Sequence, residues 1–442
     1  MRVALGKWLG RLEQPVAPYS LAFFRISFGL LMIWEVLRYF LGGWIGRYYL
    51  EPVFLFKYYG FAWLHPWPGD GLYWHFAALG VLAVLITLGL FYRLAIWLFL
   101  FGFSYIFLLD QARYLNHFYL VILITFVLCL TPAQSAWSLD ALRAGAARSI
   151  PRWAVLSLMG LFEIVLLYAG IVKINPDWLA GYPLSLWFSD RGEIPLIGPF
   201  ISGDWAIYAA SYGSIALHLL GAPLLLWRRT RLIVFLCYLG FHITNAVVFN
   251  IGIFPWMTIA GTLMFFAPDW PLLWVRRLKL PPQPVELGEP AATPTSLYAI
   301  LGLFLLFQLL FPLRHYAYPG DVAWTEEGHR FAWRMKLRSK HGFAKFHVTD
   351  PHSGRRWTVD PRDSLSSRQA RYLVGRPDMI LQFAHFIEEV WKAEYGLEDV
   401  EVRASVWCSL NGKKHRLLVD PAVDLSEIER NLQAADWILA HY

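Results

Sequence analysis

Long apolar runs separated by short polar turns dominate the first 313 residues of the chain. A helix that crosses a bilayer needs about 20 mainly apolar residues. Nine runs approach that length, near 19–41, 71–91, 94–110, 114–132, 154–174, 205–227, 231–250, 252–267 and 296–312. The pattern predicts an all-α polytopic membrane bundle of about nine transmembrane helices, occupying residues 1–313.

The remaining segment, 314–442, has shorter patterns that are typical of a mixed domain. Alternating positions predict strands at 329–338, 343–349, 355–359, 401–410 and 413–419. Asn411-Gly412 joins the last two strands as a hairpin turn. Apolar positions at helical spacing predict helices over 377–395 and 424–436. We therefore expect an α+β domain to follow the bundle.

Composition supports this division into a membrane part and a polar part. Of the 442 residues, 57% are hydrophobic and only 16% are charged, against about 25% charged in a typical soluble protein. The charges concentrate in 314–442, which holds 19 Lys and Arg and 18 Asp and Glu. This composition excludes an ordinary cytosolic protein and a disordered one, and three cysteines are too few for a disulfide scaffold.

The distribution of basic residues predicts the orientation in the membrane. With the N-terminus inside, the inner side carries thirteen Lys and Arg, and the short outer loops and outer span ends carry five. Cytoplasmic loops are enriched in basic residues, so we expect a cytoplasmic N-terminus and an extracytoplasmic α+β domain. Of the cysteines only Cys408 lies outside a span, and no Asn-x-Ser/Thr sequon occurs. Both facts favour a bacterial inner membrane over an endoplasmic reticulum.

Two outer loops, 43–70 and 175–204, are too polar to span the membrane and too aromatic to be free in water. Tryptophan and tyrosine prefer the membrane interface. The loops therefore form either interfacial or re-entrant pieces, or a simple aromatic belt.

Ionisable residues within spans are costly and are functional candidates by default. Lys173 is the sharpest candidate, because it ends an apolar span near the outer face. Burial would disfavour its ammonium form, and a neutral lysine is a usable general base. The alternative is a lysine that extends to the interface and anchors the helix end. We expect Arg25, Glu35, Arg38 and Glu163 to form internal ion pairs.

Two further polar clusters lie at predicted span ends. Asp110, Asn116 and His117 form a tight turn between two spans, and they can either contact a ligand or cap the turn. His242 and Asn245 share one helix face, where they can either contact a ligand or bond to a neighbouring helix. The histidines lack the spacing of a metal site, so we expect no metal.

The predicted strand at 329–338 combines basic and apolar residues. A period of two turns Trp333, Met335 and Leu337 to one face. It turns Arg334, Lys336, Arg338 and, if the strand continues, Lys340 to the other. These basic groups can either bind a carboxylate or form a solvated face.

At these clusters the chain resembles the vitamin K-dependent gamma-carboxylase family, as a compact prokaryotic member with an HTTM domain. The similar segments begin with LAFFRISFGLLMIWE at 21–35, FLLDQARYLNHFYL at 107–120 and YAGIVKINPDWLAGYPL at 168–184. They continue with FHITNAVVFNIGIFPW at 241–256, FFAPDWP at 265–271, FAWRMKLRSKHG at 331–342 and VWCSLNGKKHRLLVDP at 406–421. Together they cover nearly the whole chain in the family's order.

The resemblance implies a coupled reaction. A vitamin K hydroquinone is deprotonated and oxidised by oxygen to the 2,3-epoxide, and a peptide glutamate loses a γ proton and takes up carbon dioxide. The family's base lysine falls on Lys173 and its Asn-His turn on Asn116 and His117, so the expected catalytic residues are Lys173 and His117. The expected quinone contacts are Asn116, Asp110, His242, Asn245, Trp333 and Met335. The expected glutamate contacts are Arg338, Lys340 and His341.

The chain also departs from the family pattern. Arg338 and Lys340 stand where the animal enzymes carry His and Arg. The family's disulfide between the outer domain (314–442) and the first outer loop cannot form here. No surface for binding a propeptide is evident. Three hypotheses follow: a membrane carboxylase, a quinone epoxidase without carboxylation, and a non-enzymatic quinone- or lipid-binding protein. The expected partners are membrane lipid, quinone and a glutamate-containing peptide, with no nucleic acid.

Overall fold

A computed structural model describes residues 9–194, 198–201, 203–249, 251–279, 285–286 and 292–441. Within them, seven helices are long and apolar enough to cross a membrane, and two shorter apolar helices bring the number to the predicted nine. The helical bundle followed by an α+β region is confirmed. Two of the thirteen inner basic residues, Arg2 and Lys7, lie outside the described residues.

The nine apolar helices occur close to the predicted positions. They are α1 (Tyr19–Leu41), α2 (Gly71–Leu88), α3 (Tyr92–Leu109), α4 (Asn116–Leu130), α5 (Arg152–Ile171), α6 (Asp204–Leu226), α7 (Arg231–Phe249), α8 (Phe254–Thr262) and α9 (Thr295–Leu310). Helices α1 to α4 pack in sequence, each against the next. Helices α5 to α8 do the same, and α8 also packs on α1 and α5, which joins the two groups.

The predicted internal ion pairs form only in part. Glu35 and Arg38 pair at 2.7 Å between carboxylate and guanidinium. The fully buried Arg25 instead donates to backbone carbonyls at the end of α2 and in the loop after α4. One carboxylate oxygen of Glu163 has no hydrogen-bond partner among the described residues. Arg25 therefore ties α1 to its neighbours through backbone acceptors, which no charge pattern in the sequence could indicate.

The outer domain is built on a four-stranded antiparallel sheet. Its strands are β1 (Lys340–Thr349), β2 (Arg356–Val359), β3 (Glu401–Leu410) and β4 (Arg416–Leu417), in the order β2-β1-β3-β4. The helix α10 (Pro377–Tyr395) has the predicted bounds and packs its apolar face on β3. Asn411 and Gly412 have φ values of 52° and 78°, as a turn with two left-handed residues requires, and the Lys413 amide donates to the Leu410 carbonyl across it at 3.0 Å. Pairing of the two strands begins farther out, at Cys408 and Arg416.

Two predictions for the outer domain are wrong. The segment 329–338 is not a strand, because the backbone is left-handed at Phe331, Trp333 and Lys336, with φ of 62°, 55° and 53°. The expected division of its side chains between two faces therefore does not hold. The segment 424–436 is not a helix. The Asp424 carboxylate there accepts from the backbone amides of Val402 and Ser426 at 2.9 and 3.1 Å, which ties the segment to β3.

Polar contacts fix the outer domain to the outer end of the bundle. Gln111, in the turn after α3, donates to Asp378 of α10 at 2.5 Å. Asp177, in the short helix Pro176–Leu179 that follows α5, accepts from the Asn411 side-chain amide at 2.7 Å and from the Lys413 amine at 2.8 Å. The domain is therefore fastened to the loops that follow α3 and α5, close to two of the predicted polar clusters.

Candidate active site

Lys173 lies in a tight turn just beyond the outer end of α5. That helix ends at Ile171, and Asn175 begins the next short helix, Pro176–Leu179, by accepting from the Trp178 amide at 3.0 Å. Proline at the first helical position favours a new helix and discourages continuation of the previous one. Lys173 is thereby held between two helix ends, and only 7% of it is exposed.

The Lys173 amine has an environment that favours its neutral form. It donates to the Ala169 carbonyl, and the Trp178 ring centroid lies 5.6 Å away. No carboxylate oxygen in the described part of the chain comes within 4.0 Å of it. Burial lowers the pKa of Lys173 to about 7, so about half of the amine is unprotonated at pH 7. An ordinary lysine would be unprotonated in about one molecule in 2,500.

Lys173 opens into a cavity of about 340 Å³ at the outer end of the bundle. Its walls come from α5, α6, α7, α8 and the short helix Leu184–Ser189. Most of the lining is aliphatic or aromatic, including Leu166, Trp187, Phe249 and Phe254. Apolar walls with a few polar groups are typical of a site for an organic ligand, and a flat quinone with a hydrocarbon tail has matching chemistry.

Two buried histidines line the same cavity. His218 of α6 and His242 of α7 are 3% and 2% exposed. His218 contacts the Ser214 carbonyl through Nδ1 at 2.6 Å, whereas Nε2 of His242 has no hydrogen-bond partner among the described residues. Asn245 also lines the cavity and donates to the Phe241 carbonyl at 2.9 Å. An orphaned buried imidazole nitrogen is a natural contact for a ligand oxygen.

The outer domain contributes Met335 and Lys336 to this cavity. Both belong to the segment 329–338, here called the left-handed segment. In a regular strand their side chains would point to opposite faces. The cavity therefore combines Lys173, His242, Asn245 and Met335 from the predicted site residues, although they were drawn from three separate sequence clusters.

Four predicted residues lie outside the lining of this cavity. The His117 ring centroid is 6.3 Å from that of Phe254, which is part of the wall. Asn116 accepts from the Tyr114 hydroxyl at 2.9 Å. Asp110 caps the turn after α3, accepting from the amides of Phe56 and Ala112 at 3.2 and 2.9 Å. Trp333 is fully buried, and its ring centroid lies 5.2 Å from that of Tyr119 in α4.

The predicted glutamate-binding residues also lie outside the cavity lining. Arg338 forms a bidentate ion pair with Glu326, and the Lys340 amine reaches the same carboxylate at 3.0 Å. Burial alone would raise the pKa of Glu326, but the charges of Arg338 and Lys340 outweigh it and hold the pKa well below its usual range. His341 is exposed and contacts Ser339. An internal carboxylate thus already occupies the predicted basic pair.

A second cavity, of about 770 Å³, lies between the outer end of the bundle and the outer domain. Charged residues of both signs line it, among them Arg314, Arg376 and Asp378. Its lining contains none of the predicted site residues. The smaller apolar cavity is therefore the candidate active site.

His218 was not among the predicted site residues, and Lys336 was named only with the basic residues of the predicted strand that can either bind a carboxylate or form a solvated face. His218 carried a usable signal, since it is an ionisable residue inside an apolar span. Nothing in the sequence placed Lys336 in the apolar cavity, because the predicted strand turned its side chain away from that of Met335.

Comparison with known families identifies the family to which the chain belongs. The HTTM domain family matches residues 13–270, and the family of the vitamin K-dependent gamma-carboxylase lumenal domain matches residues 293–442. No solved structure matches the chain. The two matches occur in the order bundle then outer domain, and the first alone covers more than half of the chain. The chain is a multi-pass membrane protein that belongs to the vitamin K-dependent gamma-carboxylase family.

Proposed function

We propose that the protein is an integral membrane gamma-glutamyl carboxylase that couples oxidation of a vitamin K hydroquinone to carboxylation of a peptide glutamate. The observation that carries the proposal is the Lys173 amine, which faces an apolar cavity and has no counter-charge within 4.0 Å among the described residues. Membership of the family implies that vitamin K is used. The hydroquinone would enter from the lipid, and its ring would lie in the cavity.

In this proposal Lys173 acts as the general base. Its unprotonated amine accepts a proton from a ring hydroxyl, which makes the ring electron-rich enough to react with oxygen. His242 donates or accepts a hydrogen bond through its free Nε2, and this bond orients the ring. The apolar walls exclude water, so that the reactive oxygen species is consumed by the peptide rather than by solvent.

The overall reaction balances without a metal or another reductant. Oxidation of the hydroquinone to the epoxide supplies four electrons, which reduce one oxygen molecule. One oxygen atom enters the epoxide and the other leaves as water. Carboxylation of the glutamate C–H bond releases one further proton. Oxygen and carbon dioxide are thus the required cosubstrates.

His117 and Asn116 are proposed to act behind the cavity wall. The His117 ring faces Phe254, which in turn faces the His242 ring at 6.2 Å between centroids. A change at His117 can therefore reach the quinone position through Phe254. Asp110 and Trp333 are proposed to support the quinone site through packing, since their contacts are with protein.

A quinone epoxidase is the second candidate function. The observation that favours it is the pairing of Arg338 and Lys340 with Glu326. A substrate glutamate could use that basic pair, together with His341, only if it displaced Glu326. Binding of the substrate glutamate by Arg338, Lys340 and His341 stays a prediction. While Glu326 occupies the basic pair, a carboxylase needs another cation for the carboxylate of its substrate.

We further propose that the outer domain is extracytoplasmic, in a bacterial inner membrane. The excess of basic residues on the opposite side of the bundle supports this orientation. A peptide substrate would then arrive from outside, and quinone from the bilayer.

The proposal is tested with purified protein in lipid nanodiscs. The assay supplies reduced vitamin K, oxygen, labelled bicarbonate and a glutamate-containing peptide, and it measures both quinone epoxide and label in the peptide. Both products are expected. Formation of epoxide without label in any of several peptides would support the epoxidase. If the folded protein forms neither product, only the hypothesis of a non-enzymatic quinone- or lipid-binding protein is left.

A further inference from the structure

The cavity contains a second lysine, Lys336, whose amine forms no ion pair with the residues that the structure describes. No carboxylate oxygen in the described ranges lies within 4.0 Å of its amine. The amine instead lies over two aromatic faces, 4.9 Å from the Trp187 centroid and 5.1 Å from that of Phe249. Both aromatic residues belong to the cavity wall. Cation–π contacts of this kind hold an ammonium in place without neutralising it.

The backbone at Lys336 is fixed in a conformation that directs it to the cavity. Its φ is 53°, an uncommon value for a residue other than glycine. Sparsely populated conformations persist where the surrounding structure enforces them, and they concentrate at functional sites. The side chain remains accessible, so a ligand entering the cavity can reach its amine.

Two neighbouring basic residues, Lys340 and Arg338, cannot take the same role without a rearrangement. All three donors of the Lys340 amine are used, by the Trp324 carbonyl at 2.6 Å, the Gly375 carbonyl at 2.9 Å and Glu326 at 3.0 Å. Arg338 holds both oxygens of Glu326. Lys336, in contrast, is in the cavity with Lys173, and its amine donates no hydrogen bond to any described residue, so that it is available for a ligand.

We propose that Lys336 binds the γ-carboxylate of the substrate glutamate, in the cavity that also takes the hydroquinone. This inference rests on the proposed carboxylase function and deepens it. Removal of a γ proton leaves an electron pair on the carbon next to the carboxylate, so two negative charges develop on adjacent groups. An ammonium on the carboxylate reduces that repulsion and also holds the C–H bond near the quinone.

The test measures peptide binding without turnover. Full-length protein in nanodiscs, without quinone, is titrated with a peptide that contains glutamate and with the same peptide containing glutamine. The wild type should bind the glutamate peptide roughly tenfold to a hundredfold more tightly, as a charge-assisted hydrogen bond allows. Lys336→Met should bind both peptides about equally, and Lys336→Arg should recover most of the preference.

A matched control is Lys345→Met, which removes an exposed lysine from β1 that pairs with Asp360. It should keep the full preference for glutamate. Unfolding temperature and elution volume check that each variant is folded, and Lys336→Gln replaces Lys336→Met if the latter is not. Equal preference in the wild type and in a folded Lys336→Met or Lys336→Gln variant would overturn the proposal, as would a wild type without preference. Failure of the carboxylase function itself would appear separately, as absence of epoxide and label from the wild type.

Discussion

Replacement of Lys173 by arginine should abolish epoxide formation while the protein stays folded. Arginine keeps the positive charge and most of the length, but it cannot be deprotonated at neutral pH. General bases typically contribute a factor of about 10² to 10⁴ to the rate, so we expect a loss of that order. The control Lys345→Arg, on the surface of β1, should retain wild-type rates.

The pH dependence of epoxide formation by the wild type follows from the burial of Lys173. With a pKa of about 7, the unprotonated fraction falls about tenfold per pH unit below pH 7 and saturates above it. The rate of epoxide formation at saturating hydroquinone should follow this curve between pH 5.5 and 9. A rate independent of pH through this range, or near wild-type turnover in the Lys173→Arg variant, would refute Lys173 as the base.

The same pKa has a consequence for stability. Because the folded pKa lies below that of the unfolded chain, the unfolded state binds more protons between pH 7 and about 10.4. Stability should rise with pH in that window and stay level below it. A difference of about 3.4 pKa units corresponds to about 4–5 kcal/mol, so Lys173→Met should stabilise the protein by up to that amount at pH 6. Denaturant unfolding at pH 6 and pH 10 measures the difference, and a destabilised Met variant would contradict it.

Three further changes test other contacts. His117→Ala should lower the turnover number more than it weakens quinone binding, because the imidazole faces the wall residue Phe254. Unchanged kinetics would mean that His117 only caps the turn. Asn411→Asp should lower the unfolding temperature by facing a carboxylate to that of Asp177, and the double variant with Asp177→Asn should recover much of it; equal stability of all three would contradict the contact. Glu326→Gln should cost about 3–5 kcal/mol in unfolding free energy by leaving two buried cations unpaired, and a loss below about 1 kcal/mol would show that the ion pairs contribute little.

The membrane part could be predicted because its signal is local. A run of apolar residues long enough to span a bilayer must be helical, since its backbone groups have no other partners there. All nine predicted spans therefore correspond to helices, and the shorter α4 and α8 were found by the same rule. The hairpin at Asn411-Gly412 was equally predictable, because few residue pairs accept two left-handed conformations.

The left-handed segment could not be predicted, because its conformation depends on distant contacts. Phe331 and Trp333 are ordinary strand residues, and their alternation with polar neighbours favours a strand. In the structure the Phe331 amide donates to the Tyr114 hydroxyl at 2.7 Å, and Trp333 packs on Tyr119. These contacts with the bundle override the local preference. Lys336 was consequently missed as a cavity residue.

The candidate site was predictable in its chemistry more than in its geometry. Lys173, His242 and Asn245 stood out as polar residues in apolar spans, and they line one cavity. The glutamate contacts were placed on Arg338 and Lys340, because nothing in the sequence indicated that Glu326 would pair with both. Residue type thus identified the candidates, whereas the three-dimensional contacts determine which charges remain free.

A structure of the protein with a bound vitamin K hydroquinone, prepared without oxygen, would test the central claim most directly. We predict that the ring lies in the cavity between α5 and α8, with one hydroxyl oxygen about 3 Å from the Lys173 amine, within hydrogen-bonding reach. A ring bound in the larger charged cavity, or on the lipid-facing surface away from Lys173, would contradict it.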